Sequence, residues 1–122
     1  MISVDDDIMG VRIRKLLDEN WEPWIDEGYS RASSNMMVPK IEAGAYSCRV
    51  IHLEPGGHTG MHGHERVHHV MMIKGEAVLE TDTEKVTLDN MKAVMIEANI
   101  PHRFVNTSRD VALIQVQNIF PR

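Results

Sequence analysis

The chain has 122 residues, a formal net charge of −5, 43% hydrophobic residues and one cysteine. One cysteine excludes an internal disulfide, scattered lysines and arginines on an acidic chain exclude the basic stripe that nucleic-acid binding needs, and no apolar run approaches the roughly 20 residues of a membrane span. There remains one domain able to bury its own core, with a small molecule as its expected partner and neither nucleic acid nor membrane.

Asp5, Asp6 and Asp7 stand where the positive region of a signal peptide would lie, so a cytoplasmic protein is expected. Residues 1–10 read as an acidic N-terminal tail closed by Gly10, and residues 11–122 as the folded domain. Val11 to Leu17 alternates apolar and basic side chains, the period of an outer strand. Residues 18–40 sustain no period, and Pro23, Gly28, Ser33-Ser34-Asn35 and Pro39 mark a long connection. Its Trp21, Trp24, Tyr29, Met36 and Met37 are too apolar for a solvated linker. They are expected to cover one end of the fold or a dimer seam rather than to close over a substrate.

Ala45 to Leu53 reads as extended, with Pro55-Gly56-Gly57 as the turn that ends it. Two sets compete for its inward face, Tyr46, Cys48, Val50 and His52 against Ala45, Ser47, Arg49, Ile51 and Leu53, and both stay open. Val70-Met71-Met72-Ile73 is apolar on both parities, as in a strand covered on its outward side, which favours a homodimer. Residues 77–81, 85–88, 93–96, 102–106 and 111–118 complete a run of short strands separated by turn signals. This is the pattern of an all-β antiparallel sandwich or barrel without an amphipathic helix.

Five of the seven histidines fall between residues 58 and 69. Neutral imidazole is the commonest protein ligand for transition metals, and residues i and i+2 of a strand share a face, so His62 and His64 can grip one ion from one side. His64-Glu65-Arg66-Val67-His68 also matches the H-E-x-x-H pattern of zinc proteases, which needs a helix. Gly56, Gly57, Gly60 and Gly63 argue against a helix there, at about 1 kcal/mol each.

Gly56, His62, Gly63, His64, His68 and Gly75, at their spacing, resemble the first cupin motif, with His68 where most cupins carry glutamate. Residues 91–106 resemble the second, keeping its histidine as His102 and its asparagine as Asn106, with Met91, Glu97 and Asn99 in place of the usual glycine, proline and glycine. The resemblance spans about residues 45–118 and implies a double-stranded β-helix, or jelly-roll, barrel. It also implies a metal site formed by His62, His64, His68 and His102 for manganese, iron, nickel, copper or zinc. Four neutral ligands would leave the ion its full charge and one or two open positions for a chelating oxygen ligand. Dioxygenase-like oxidation of a small chelating substrate is the leading expectation. A non-redox isomerase or lyase, or a non-catalytic module that binds a metal or small ligand, is the alternative.

Phe104 and Asn106 share the face of His102, so both are candidates for the pocket. Gln115 and Gln117 either offer amides to a ligand or a metal-bound imidazole, or face outward. His52 is a satisfied core histidine or a neighbour of the ligands, His58 an exposed loop residue, and His69 an outward one. Cys48 reads as a small buried hydrophobe, and Met61, Met71, Met72 and Met95 as core filling. Lys92, Glu97 and Arg103 read as surface groups. Imidazoles of ordinary pKa, about 6.5, predict metal binding that weakens below about pH 6.

Overall fold

The computed structural model describes residues 3–4, 10–16, 21–89 and 92–121. Most of the expected acidic tail, together with Leu17 and Met91, lies outside them. Short strands β1 (Ser3–Val4) and β2 (Arg14–Lys15) pair as a two-stranded ribbon. The strand expected over residues 11–17 is therefore confined, among the described residues, to β2 and a bridge at Val11. Arg14 anchors it, donating through Nη1 to the Met37 carbonyl at 2.8 Å and pairing with Glu42.

The remaining strands are β3 (Glu22–Pro23), β4 (Ser30–Val38), β5 (Tyr46–His58), β6 (Val67–Lys74), β7 (Ala77–Thr81), β8 (Lys85–Leu88), β9 (Ala93–Ile96), β10 (His102–Val105) and β11 (Ala112–Ile119). They form one antiparallel sheet in the order β8-β7-β10-β5-β11-β6-β9, with β4 also on β5 and β3 on β4. The sheet rolls into a nearly closed jelly-roll barrel. A single helical turn, α1 (Lys40–Ala43), links β4 to β5.

Residues 18–40 and 55–57 both differ from expectation. The long connection over residues 18–40 contains the nine-residue β4, paired with β5 from Ser30 to Val38. Its Ser33-Ser34-Asn35 run is polar on both faces and so carries no period-2 signal. The turn expected at Pro55-Gly56-Gly57 is a bend inside β5, which runs on to His58. Gly57 permits it, because a Cβ there would sit 2.6 Å from the Arg31 carbonyl oxygen. Bent in this way, β5 pairs with β11 through residues 46–53 and reaches β10 at His58.

Period-2 burial is clearest in β11, where Ala112, Ile114, Val116 and Asn118 are buried and the residues between them half-buried. Register settles which face of β5 looks inward. Ser47, Arg49 and Ile51 line the barrel cavity and Leu53 joins the core, whereas Cys48, Val50 and His52 lie on the other face. The core comprises Ile51, Leu53, Val70, Met72, Leu79, Leu88, Ile96, Phe104, Ile114 and Val116, among others. Of the four methionines expected to fill it only Met72 does so, while Met61, Met71 and Met95 are 41, 47 and 59% exposed. No helix among the described residues is long and apolar enough to cross a membrane.

Candidate metal centre

After β5 the chain stays paired to β10. Thr59 N donates to the Phe104 carbonyl at 2.9 Å, Thr59 Oγ1 accepts from Phe104 N at 2.9 Å, and His62 and His102 exchange two backbone hydrogen bonds of 3.1 Å. This ladder brings residues forty positions apart side by side. His64 follows in the loop, where its carbonyl accepts from Asn99 N at 2.6 Å. Asn99 has φ +67°, a left-handed conformation that asparagine tolerates, which explains how it replaces the glycine usual at that position. His68 enters from β6, paired with Ile96 on one side and Asn118 on the other. Residues 64–68 are loop and strand, so the H-E-x-x-H alternative, which needs a helical turn, has no support.

The four imidazoles line one cavity of about 600 Å³ at the end of the barrel. Ring centroids are 4.9 Å apart for His68 and His102, 5.5 Å for His64 and His68, and 6.1 Å for both His64 with His102 and His62 with His64. Rings bound through one nitrogen at about 2.0–2.1 Å put their centroids roughly 4.5–6.4 Å apart around a shared ion, so these spacings fall within range. The rings are not closed on a common point, however. Among the described residues no set of three or more His, Cys, Asp or Glu side chains meets coordination geometry. His62 stands off most: its ring stacks on Tyr29 at 5.9 Å, with Nε2 against Gly60.

Donor chemistry answers what position does not. His102 Nδ1 lies 2.8 Å from the Ile100 carbonyl oxygen, so it carries the proton. His68 Nδ1 lies 2.6 Å from Asn118 Oδ1. That amide is oriented by its other contacts, since Nδ2 donates to Ser47 Oγ at 3.1 Å and Oδ1 accepts from Arg66 Nε at 3.3 Å. Both imidazoles are therefore held with a lone pair at Nε2. In His68 that atom is buried and has no hydrogen-bond partner. A buried acceptor without a partner costs about 1–3 kcal/mol. His68 and His102 fit a transition metal in tautomer and in the way their outer nitrogens are held.

A cupin domain model matches residues 49–116. The chain belongs to the cupin family. Its fold is similar to the polyketide cyclase RemF from Streptomyces resistomycificus, with 18% identity over 86% of this chain and 76% of that one and a TM-score of 0.75. It is also similar to a cupin 2 conserved barrel domain protein from Salinispora arenicola, with 19% identity over 90% and 89% and a TM-score of 0.74. A sugar phosphate isomerase of the cupin superfamily from Silicibacter pomeroyi shares 22% identity over 75% of this chain and 60% of that one, with a TM-score of 0.64. At these identities the likeness extends to the barrel and not to the reaction. No curated relative matches the chain.

Electrostatics in this cupin favour the neutral form of His64, His68 and His102. Burial pushes the His68 pKa down to about 4, helped by the neighbouring His102. Burial also lowers His64, with Arg66 adding to the effect, and lowers His102 against the opposing bond to Ile100. Metal binding that depends on these three residues should therefore persist to lower pH than the ordinary imidazole pKa implies.

Of the other residues singled out from sequence, Phe104 lines the cavity with its ring 5.9 Å from His102. Asn106 is fully buried elsewhere, donating to the carbonyls of Leu53 and Asp110 and accepting from Ser108, so it pins a loop. Gln115 lies on the outer face of β11 and donates to Cys48 Sγ at 3.3 Å, and Gln117 shares that face. His52 packs outside the barrel on Trp21, with centroids 5.0 Å apart. Trp24, Tyr29 and Met36 wall the cavity instead of covering only the barrel end or a seam. Sequence reasoning missed Asn118, whose signal was parity: it continues the buried Ala112, Ile114, Val116 set, which Gln115 and Gln117 do not. It also missed Arg49 and Arg66, which line the cavity from β5 and the loop before β6.

Proposed function

We propose that this cupin holds one divalent transition metal, manganese, iron, nickel, copper or zinc, through His62, His64, His68 and His102. On this reading it acts as a metal-dependent, dioxygenase-like oxidoreductase on a small chelating organic substrate. The observation that carries the reading is the buried, partnerless Nε2 of His68 beside His64 and His102, with the outer nitrogens of His68 and His102 already engaged. A bound ion would supply Lewis-acid and one-electron chemistry to a chelating substrate. The protein itself supplies a pocket in which Phe104, Phe120 and Val116 exclude water and Trp24 and Tyr29, stacked at 4.6 Å, offer a flat wall. His62, the ring furthest from the others, would turn from Tyr29 towards the cluster when the site fills.

The test is metal analysis joined to oxygen uptake. Purified protein should bind one redox metal per chain and consume oxygen with a diphenol, diketone, thiol or keto acid, and His102→Ala should lose both. No metal bound by the wild type would refute the proposal. A second reading, isomerase or lyase chemistry, draws support from Tyr29. Burial and the nearby Asp26 raise its pKa, so its hydroxyl is kept as a proton donor in the same pocket. Turnover with zinc and without oxygen, reduced in Tyr29→Phe, would favour that reading. Failure of every substrate with every metal would leave a binding module.

A further inference from the structure

Two guanidinium groups share the cavity with the imidazoles, and among the described residues neither makes an ion pair with a carboxylate. Arg49 lies flat over Trp24, 4.4 Å from the ring centroid, with Nε buried and without a hydrogen-bond partner. Arg66 donates through Nε to Asn118 Oδ1, the oxygen that also accepts from His68 Nδ1. Stacking on Trp24 holds the Arg49 fork and the Nε bond holds that of Arg66, and among the described residues the outer N–H groups of both forks have no hydrogen-bond partner. Burial lowers the pKa of Arg49 and the like charge of Arg66 adds to this, against the opposing effects of Tyr29, Glu22 and Asp26. Asp26 and Glu27 also line the cavity, but both are exposed, and Asp26 accepts from Trp24 Nε1 at 2.8 Å. Water screens their charge more than it screens the half-buried arginines.

The geometry points to a carboxylate clamp: Arg49 and Arg66 bind the carboxylate of a flat, unsaturated organic acid whose body lies against the aromatic lining of the cavity and whose other oxygens face the histidines. This rests on the reading of the histidine cavity as a substrate site and names its substrate class. A guanidinium fork matches a carboxylate with two parallel hydrogen bonds, and an aromatic wall favours a planar body over a saturated one. Because Asn118 joins Arg66 to His68, the group that holds the anion also helps set the imidazole that faces the cluster.

Salicylate serves as the probe, with salicylamide as its uncharged counterpart and inorganic phosphate as the competing anion. Binding is measured on chelator-treated full-length protein at pH 7.5 by calorimetry and by quenching of tryptophan fluorescence. Salicylate should bind about tenfold or more tightly than salicylamide or phosphate, and Arg66→Met should cost about tenfold. Arg49→Met should do the same. Should burial of Nε prevent that variant from folding, Arg49→Lys, which keeps the charge and loses the fork, should still bind salicylate several-fold more weakly. Equal binding of salicylate and salicylamide, or wild-type affinity in Arg66→Met and in the folded Arg49 variant, would overturn the clamp. Tighter binding of phosphate would overturn the carboxylate assignment. Metal stoichiometry is measured on the same preparation, so the two ideas fail separately. Carboxylate discrimination without metal binding would leave the clamp and remove the metal, and metal binding without discrimination would do the reverse.

Discussion

His68 is 4% exposed, and its two ring nitrogens live in different worlds: one is bonded to Asn118, the other faces the cavity with nothing to bond. Replacing Asn118 with alanine removes the acceptor that sets this tautomer and also releases Arg66. Metal affinity in Asn118→Ala should fall by about 10- to 100-fold with stoichiometry retained, as a competition titration against a chromogenic chelator would read. Gly60 makes a steric prediction. A Cβ there would meet His62 Nε2 at 2.6 Å and Tyr29 Cε1 at 2.8 Å. Gly60→Ala should therefore displace His62 and weaken metal binding while changing Tm little, because both ring ends can swing. Unchanged affinity would mean that His62 does not take part. His68 also predicts a pH effect on the metal-free protein. Its pKa is about 4 when folded and near 6.5 when unfolded, so between these values the unfolded chain takes up a proton that the folded one refuses. Stability should be full above about pH 6.5 and fall towards pH 4, by up to about 3 kcal/mol, with His64 and His102 acting in the same direction. Urea titrations across that range, with and without His68→Gln, would show it.

At the scale of elements, β5 carries the most, since it pairs with β4, β10 and β11 and supplies Leu53 to the core and Arg49 to the cavity. Leu53→Ala should cost about 2–5 kcal/mol, read from the denaturation midpoint, because the side chain is fully buried. Asn106 separates a structural role from a site role. Its amide holds the loop between β10 and β11 against β5 through four hydrogen bonds, remote from the imidazoles. Asn106→Ala should lose about 1–3 kcal/mol of stability and keep metal stoichiometry. The strands β7, β8 and β9 were legible residue for residue, because each is a short β-branched or apolar run between turn residues. β4 was not, since its serines and Asn35 imitate a loop. Only pairing with β5 makes a strand of it.

For the whole molecule, the outer face of β6 and β9 exposes Met71, Ile73 and Met95 around a groove that also holds His69 and Gln117. A homodimer through this face is the expectation that the doubly apolar run at residues 70–73 raises. Sedimentation should give twice 13.9 kDa for the wild type and 13.9 kDa for Met71→Lys with Met95→Lys. A monomeric wild type would remove that expectation. The sequence by itself determined the fold class, the strand rhythm of the second half and the cupin motifs, because alternation and turn chemistry are local and a clustered residue type announces itself. Tertiary structure alone decided which face of β5 and β11 looks inward, and with it the choice of Arg49 and Asn118 over His52 and Gln115. Strand parity shifts every side chain by one face at a single bend, and the bend in β5 is fixed by contacts with β4 and β10 that lie far away along the chain.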